Sequence, residues 1–491
     1  MATDTAARVR VSVSKLTDLV TKIFVYLKMP EADARVVADA LVDADLRGHE
    51  SHGVSNYIRT IYYPGIVNGI INPQPNMRIV HETSTTSRWD ADGAMGHVSA
   101  YAAMNDVIER AKKRLKKLGI FKSADVKAEP GSSPDRVRLT FTVVEDETGN
   151  IGFGGGYSTS EGIIADVTFK ERNLMGRGQF LQVKLGGSLE GRKQIDVNFT
   201  EPRFLDQNLS AGVDLFHKEV DLTKEAGYSN MRTGAGLRLG VPLSDETWIT
   251  GRYTFSREEV FDVQDDASLF VKESEGTDFV SAVGYTLSYD TRNIKANPTS
   301  GIYLELAQDF AGLGGDVNYI RTVAEARGYY PITDQITFVT RVTGGQIEGW
   351  GGQDVRLSDL FYRGGETVRG FDKAGYGPRD AKTGDALGGK LFYAATAEVR
   401  FPLPYVPDDL GLSGAVFADA GSLFTASDRA KELDAQGKVD LQDSDSIRSS
   451  VGVSLIWNSP LGPLRADYAY VLTKEAFDDE QAFRFGASTR F

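Results

Sequence analysis

The chain has 491 residues with a net charge of −13, 52 glycines and no cysteine. The negative charge argues against a general nucleic-acid-binding surface, and the lack of cysteine excludes thiolate metal sites, thiol catalysis and disulfides. No segment approaches the ~20 consecutive apolar residues that a membrane-spanning helix needs. Glycine, tyrosine and phenylalanine are abundant instead, which suits the turns and aromatic girdles of β-structure.

Residues 1–113 are predicted to be mostly helical. Apolar side chains recur at helical spacing in four segments, namely 16–27, 32–44, 58–67 and 100–108. Two short strands are predicted between these segments, at 77–80 and 86–89. The first 22 residues have neither the apolar core of ~7–15 residues nor the small-residue cleavage site of a secretory signal. As printed, the sequence therefore predicts no export signal.

A polar stretch after the second helix carries the candidate catalytic residues of this segment, Ser51 and His52. A serine beside a histidine, with further histidines in the same segment, suits proton transfer. The alternative is a helix C-terminus followed by an ordinary polar loop. Spacing alone does not decide between the two.

The motif Arg47-Gly48-His49-Glu50-Ser51-His52-Gly53 resembles one from the malate/L-lactate dehydrogenase family, whose nicotinamide fold is not of the Rossmann type. The stretch from Asp90 to Met104 resembles the family's next motif. The resemblance implies active-site positions at Ser51 and His52. It ends near Lys113, before the family's second histidine, its further acid and most of its nicotinamide site. We therefore expect vestigial positions, no dehydrogenase activity and no bound cofactor.

Residues 106–148 are predicted to contain a basic helix over 106–118 and strands at 120–128 and 137–143. This order resembles the end of a POTRA domain, a periplasmic module that precedes certain barrels. The helix belongs both to the segment that resembles the dehydrogenase family and to the segment that resembles a POTRA domain. This overlap indicates that two unrelated coding segments meet within the helix. A natural fusion, an engineered fusion and an erroneous gene assembly are the alternatives.

Residues 149–491 show repeated alternation of apolar and polar side chains. One example is the stretch over 464–470, where Arg465 and Asp467 alternate with apolar neighbours. A soluble β-sandwich is the alternative, but its core would not accept charges on strand after strand. In a wide membrane barrel the charged face lines water and the apolar face meets lipid. Short connections also alternate with long ones such as 350–388.

The predicted fold class is therefore mainly β. It is a transmembrane antiparallel β-barrel of about 16 strands, an even number as bacterial barrels require. A partial POTRA α/β segment and a mostly helical N-terminal fragment precede the barrel. The predicted domains are the fragment 1–113, the POTRA part 114–148 and the barrel 149–491.

Four motifs in residues 114–491 closely resemble the BamA family of outer-membrane protein assembly factors. They are a loop signature, Val368-Arg369-Gly370-Phe371; a strand motif, Phe417-Ala418-Asp419-Ala420-Gly421; a turn motif, 457–464; and an aromatic C-terminus, Phe483 to Phe491. The resemblance implies a protein of the bacterial outer membrane that assembles and inserts other barrels. Its implied partners are unfolded outer-membrane protein clients, membrane lipids and periplasmic lipoproteins of an assembly complex, with docking of the last limited by the partial POTRA segment.

Arg369 is the central residue of the loop signature. A guanidinium inside the barrel would need an acidic partner, because its fork pairs best with a carboxylate. The resemblance puts Asp419 first, and Glu398 is the second choice. The alternative is a solvated loop arginine at the cell surface. We expect the role to be bracing of the loop, since nothing here implies a nucleotide, a metal or a cofactor.

The first strand of the barrel is unusually rich in glycine, with Gly152, Gly154, Gly155 and Gly156. Glycines weaken a strand and loosen its register. A β-bulge or a tilt of the strand is the alternative reading. We expect a lateral seam between this strand and the last one, where the candidate residues are Phe485, Gly486 and Phe491. Such an edge can open sideways and pair with a client strand by β-augmentation.

These observations favour a non-enzymatic insertase. A related translocator, for two-partner secretion or autotransporter assembly, is the nearest alternative, and a passive porin is a more distant one. Residual nicotinamide-dependent oxidation of 2-hydroxy acids would rest on residues 1–113 alone.

Overall fold

The structure is a computed structural model. It describes residues 10–82, 86–117, 120–130, 137–158, 162–189, 191–295, 297–407, 410–459 and 462–487. The chain forms two compact units, Met1–Asp146 and Glu147–Phe491. None of the helices in the described ranges has the length and apolar character needed to span a bilayer.

The first unit is mostly helical. Its helices are α1 Val13–Tyr26, α2 Glu31–Leu46, α3 Val54–Tyr57, α4 Tyr63–Val67 and α5 Gly96–Lys117. Its strands are β1 Arg78–Glu82, β2 Ser87–Asp90, β3 Phe121–Pro130 and β4 Val137–Glu145. The strands form two antiparallel pairs, β1 with β2 and β3 with β4. The basic helix predicted from residue 106 is not a separate element, because α5 already begins at Gly96 and runs unbroken.

The core of this unit follows from the apolar spacing of its first two helices. Ser12 caps α1 by accepting a hydrogen bond from the Lys15 N–H. Val20 and Phe24 of α1 are fully buried, as are Val37 and Ala38 of α2. Val98 places the first half of α5 in the same core. The second half of α5 lies against β3, where Lys112 Nζ is 3.2 Å from Asp125 Oδ1.

The second unit is built from strands. They are β5 Gly149–Ser158, β6 Gly162–Leu174, β7 Gln179–Ser188, β8 Lys193–Glu201, β9 Ser210–Leu222, β10 Tyr228–Pro242, β11 Thr247–Phe261, β12 Gly276–Asp290, β13 Gly301–Ala311, β14 Tyr319–Pro331, β15 Thr337–Gly349, β16 Gly370–Phe371, β17 Arg379–Asp380, β18 Leu391–Pro402, β19 Leu412–Phe424, β20 Leu441–Gln442, β21 Arg448–Ser459, β22 Gly462–Thr473, β23 Glu480–Gln481 and β24 Phe483–Ala487. Its described connections include the short α-helices α6 Thr223–Ala226, α7 Leu269–Glu273 and α8 Asp428–Ala435.

Sixteen of these strands form one antiparallel sheet, so the expected strand number is confirmed. Neighbours in the sheet are neighbours along the chain, from β5 at one edge to β24 at the other. The four two-residue strands pair separately, β16 with β23 and β17 with β20. The sheet curls until its first and last strands lie side by side, which makes it a barrel.

The two faces of the sheet differ as the alternation predicts. On β10, Leu237 and Leu239 are half-exposed on the outside, whereas Arg238 between them donates from Nη2 to Asp214 Oδ1 at 2.9 Å. Long connections, such as 350–390 and 425–447, leave from one end of the barrel. Their apolar residues form a second core, which includes Phe270, Phe361 and Leu387. This end of the barrel is therefore filled by its own loops.

Candidate functional site

The loop between β15 and β18 carries the arginine signature, and it lies inside the protein. Val368 and Phe371 are fully buried, and Arg369 is only 5% exposed. Gly370 has φ +99, a left-handed conformation that side chains rarely adopt, and a Cβ there would lie 2.9 Å from Val471 Cγ2. Glycine is therefore required directly after the arginine, because the loop turns against the barrel wall at that residue.

Arg369 binds the two carboxylates named above. Its Nε and Nη2 donate to the two oxygens of Asp419 at 2.6 and 2.8 Å, and its Nη1 donates to Glu398 Oε2 at 2.7 Å. Its backbone N–H donates to Asp419 Oδ2 at 3.1 Å. The guanidinium carbon also lies 3.4 Å from the centre of the Phe417 ring. Asp419 and Glu398 are as buried as the arginine, so the three charges depend on one another.

The cluster extends to residues that the motif comparison did not single out. Arg465 of β22 donates from Nη2 to Glu398 Oε2 at 2.6 Å and from Nε to Asp467 Oδ1 at 2.7 Å. Arg400 of β18 donates from Nε to Glu398 Oε1 at 2.8 Å. Three arginines thus face three carboxylates across β18, β19 and β22. The alternation of apolar and polar side chains placed Arg465 and Asp467 on the polar face of their strand. It does not show how far along the barrel axis they lie, and so it does not identify their partners.

A second charge cluster lies further round the inner wall. Arg356, in the same long loop, donates to Glu258 Oε2 at 2.9 Å, Asp278 Oδ2 at 2.9 Å and Asp359 Oδ2 at 2.8 Å. It joins the loop to β11 and β12 much as Arg369 joins it to β18 and β19. The long loop is therefore fixed to the wall at two places by arginine–carboxylate pairs.

The seam residues lie on the two free edges of the sheet. Gly152, Gly154, Gly155 and Gly156 are in β5, which pairs with β6. Phe485 and Gly486 are in β24, opposite Ala466 and Arg465 of β22. Among the described residues, β5 and β24 lie next to each other without a paired backbone register. Phe491 lies outside the described residues.

Ser51 and His52 lie in a short 3₁₀ turn of the first unit, and both are exposed. The Ser51 Oγ is 2.9 Å from the His52 Nδ1, so the pair is formed. The histidine ring lies 5.1 Å from that of Tyr57. The described part of the chain contains no group of three or more His, Cys, Asp or Glu arranged for a metal ion. The arrangement offers a hydrogen-bonded hydroxyl that is open to solvent.

His97 is held apart from that pair, beside Tyr62 of the helical core. The Tyr62 hydroxyl is 3.4 Å from the His97 Nδ1, and the two rings meet edge to face. Burial raises the pKa of Tyr62 to about 12 and lowers the pKa of His97. Both groups are therefore neutral near pH 7, which suits a packing role.

Two family models match separate parts of the chain. The Omp85 superfamily domain matches residues 173–491, and Malate/L-lactate dehydrogenase matches residues 11–116. The outer membrane protein assembly factor BamA of Neorickettsia risticii is 32% identical, over 78% of this chain and 50% of that protein. The chain therefore spans about half the length of the curated relatives it matches.

Solved structures show the same barrel fold. BamA from Haemophilus ducreyi lacking POTRA domains 1–3 has a TM-score of 0.65 and 22% identity, covering 82% of this chain and 80% of that one. CdiB from Acinetobacter baumannii has a TM-score of 0.51 and 14% identity, covering 77% and 67%. Because the superfamily model spans well over half of the residues, the chain belongs to the Omp85 superfamily.

Proposed function

We propose that this chain assembles β-barrel proteins and inserts them into a bacterial outer membrane. One observation carries the proposal: β5 and β24 lie side by side, yet among the described residues each is paired on one side only. Unpaired backbone in lipid costs several kcal/mol per group, so an open edge favours rapid pairing with an incoming strand. The Neorickettsia risticii relative is an outer membrane protein assembly factor, which supports the same class.

In this proposal the clients are unfolded outer-membrane proteins, and the surroundings are membrane lipids. A client strand adds to the free edge by β-augmentation, in which main-chain hydrogen bonds supply the affinity. The glycines of β5 weaken its pairing and let the edge exchange partners. The Arg369 cluster braces the long loop and takes no part in chemistry, since a saturated ion-pair network has no free acid or base.

The experiment is a cross-link across the seam. The chain has no cysteine, so Gly152→Cys combined with Gly486→Cys creates the only pair. We expect the oxidised protein, placed in liposomes, to lose nearly all assembly of a client barrel and to recover when reduced. The client's folding is followed by its heat-dependent shift on gels.

Val342→Cys with Ala395→Cys is the matched control, because these residues face each other in the body of the sheet, on β15 and β18. Oxidation of this pair should leave assembly unchanged. Full client assembly by the seam-linked protein would contradict the proposal.

A translocator of the same superfamily is the alternative, although CdiB shares only the barrel fold with this chain, at 14% identity. The two functions differ in where a substrate contacts the barrel. A photo-cross-linker at Phe153, which is 73% exposed on β5, would capture clients of an insertase. Capture only at luminal positions such as Arg238 would favour a translocator.

The first unit contains a segment that matches the dehydrogenase family, and we propose that it has no such activity. The match covers residues 11–116 only, and its Ser51–His52 pair is exposed to solvent. The test is to follow nicotinamide reduction with a panel of 2-hydroxy acids. A rate that disappears in Ser51→Ala and His52→Ala variants would overturn the proposal.

A further inference from the structure

A two-residue pairing joins the arginine loop to the end of the barrel. Gly370 lies opposite Gln481, and Phe371 lies opposite Glu480, in the β16–β23 ladder. Gly370 directly follows Arg369, and Gln481 lies two residues before Phe483, where the terminal strand β24 begins. The arginine cluster and the seam edge are therefore only a few residues apart along a hydrogen-bonded path.

Further contacts extend this pairing into a longer connection, which we call the strap: residues 370–375 together with 479–481. The Asp372 N–H donates to the Asp479 carbonyl at 3.0 Å, and the Asp479 N–H donates to the Gly375 carbonyl at 2.8 Å. The Gln481 side chain donates to Asp372 Oδ1 at 3.2 Å, and Arg379 forms an ion pair with Asp479. Phe371 at the centre of the strap is fully buried.

The terminal strand itself approaches the same loop. A Cβ on Gly365 would lie 2.6 Å from the Phe371 carbonyl oxygen and would collide with Arg484 Nη1. Arg484 belongs to β24, where it lies opposite Asp467 of the charge cluster. The close approach therefore requires glycine at position 365, and it places a side chain of the terminal strand against the loop.

In the part of the chain that the structure describes, few other restraints act on this strand. It pairs with β22 over five positions, from Tyr468 opposite Phe483 to Leu464 opposite Ala487. Among the described residues, no ladder joins it to β5. The strap is thus the second backbone restraint on β24, and it acts at the end of the strand nearest the loops.

We infer that the strap is the latch of the seam: β24 can leave its closed position only after the strap separates. Arg369, anchored by Asp419 and Glu398, then positions the terminal strand through Gly370 and Phe371. The inference rests on the proposed function, because it names what controls that seam. It assigns a positioning role to Asp479 and Gln481.

The first test measures the seam without any client. Spin labels at Phe153→Cys and Phe483→Cys report on β5 and β24, since both side chains are exposed on the outer face. The full-length protein is reconstituted in lipid, and the label separation is compared with and without Asp479→Ala plus Gln481→Ala. We expect the widely separated population to rise about fivefold, because Gln481→Ala removes one hydrogen bond of that net strength and the ion pair lost with Asp479→Ala, whose carboxylate is 62% exposed, adds little.

Gln442→Ala is the control, because Gln442 lies in the other short loop pairing and its side chain contacts the exposed Asp440. Its label separation should match that of the parent protein. A strap variant with unchanged label separation would overturn the inference, whatever its effect on client assembly. The label separations therefore test the latch independently of the insertase function.

The second test locks the strap. Phe371→Cys with Glu480→Cys joins residues that lie opposite each other in the ladder, and each single variant serves as its control. We expect oxidation to abolish client assembly and reduction to restore it. Equal activity in the two states would overturn the latch. If the parent protein, without either cysteine, also assembles nothing, the proposed function fails, and the label separations still decide the role of the strap.

Discussion

The helical unit and the strand wall of the barrel bury opposite kinds of side chain. In the helical unit Phe24 is fully buried, while the Arg35–Asp18 ion pair leaves its side chains 51% and 60% exposed. In the barrel the Arg369–Asp419 pair is 6% and 1% exposed, while Leu239 on the outer face is 49% exposed. Apolar side chains therefore belong inside the helical unit and on the outside of the barrel, and ion pairs show the reverse. The reason is that the surface of the helical unit meets water and the outer face of the barrel meets lipid.

The largest effect is expected for Arg369→Ala in the barrel. Removing the guanidinium leaves the buried Asp419 without its arginine and takes one of three arginines from Glu398, a loss of about 3–5 kcal/mol. The measurement is the temperature at which the folded barrel loses its compact migration in detergent gels. Arg369→Lys should have a melting temperature between those of the parent protein and Arg369→Ala, because lysine keeps the charge but loses the bidentate fork.

Charge reversal makes this prediction more specific. Arg369→Glu should impair barrel assembly, and adding Asp419→Arg should partly restore it. A variant Arg369→Ala with the melting temperature and assembly of the parent would show that the cluster does not brace the loop.

Phe24→Ala should have a comparable effect on the helical unit, of about 3 kcal/mol, through the cavity it leaves in the core. Thermal loss of the helical circular dichroism signal would measure it, with no change in the barrel's gel migration. Tyr26→Ala is the control two residues away, since that side chain is 84% exposed. Equal destabilisation by both variants would contradict the assigned core.

Leu239→Arg tests the difference between the outer surfaces of the two units. On a lipid-facing strand it should cost about 2–4 kcal/mol near the bilayer midplane. The same change at Leu19, which is 56% exposed on α1, should be nearly neutral because that side chain faces water. Urea titration of refolding into lipid vesicles measures the first, and the helical melting temperature measures the second. Similar losses of stability for the two variants would show that the outer surfaces of the two units do not differ in this way.

The smallest effect is expected for Arg35→Ala. Its partners Asp18 and Asp39 are exposed, and surface pairs of this kind contribute about 0–1 kcal/mol. Raising the salt concentration should remove most of the difference from the parent protein in the helical melt. A loss as large as that for Arg369→Ala would mean that the pair is shielded from water.

Much of the barrel follows from local patterns. Alternation of the Arg465-Ala466-Asp467 type marks a strand and its two faces, so the number of strands and the charged interior are predictable from sequence. The partners of Arg369 are harder to predict from sequence. Only the family resemblance suggested Asp419, because the two residues are 50 positions apart in sequence.

Arg465 illustrates what local patterns leave out. Its polar-facing position is clear, but its contact with Glu398 crosses from β22 to β18, with β19 and β21 between them in the sheet. Such a contact depends on the stagger of strands around the barrel, which is a property of the closed sheet. The strap between Phe371 and Glu480 is beyond sequence patterns for a similar reason, since two-residue ladders have no periodicity to detect.

Because α5 is one continuous helix, a change in its length would alter how its two halves face their neighbours. Its first half contributes Val98 to the helical core, and its second half directs Lys112 at Asp125 of β3. At 3.6 residues per turn, one residue inserted between these halves would rotate one against the other by about 100°. The number of residues between the two halves, more than their composition, therefore decides whether Val98 can reach the helical core while Lys112 reaches Asp125.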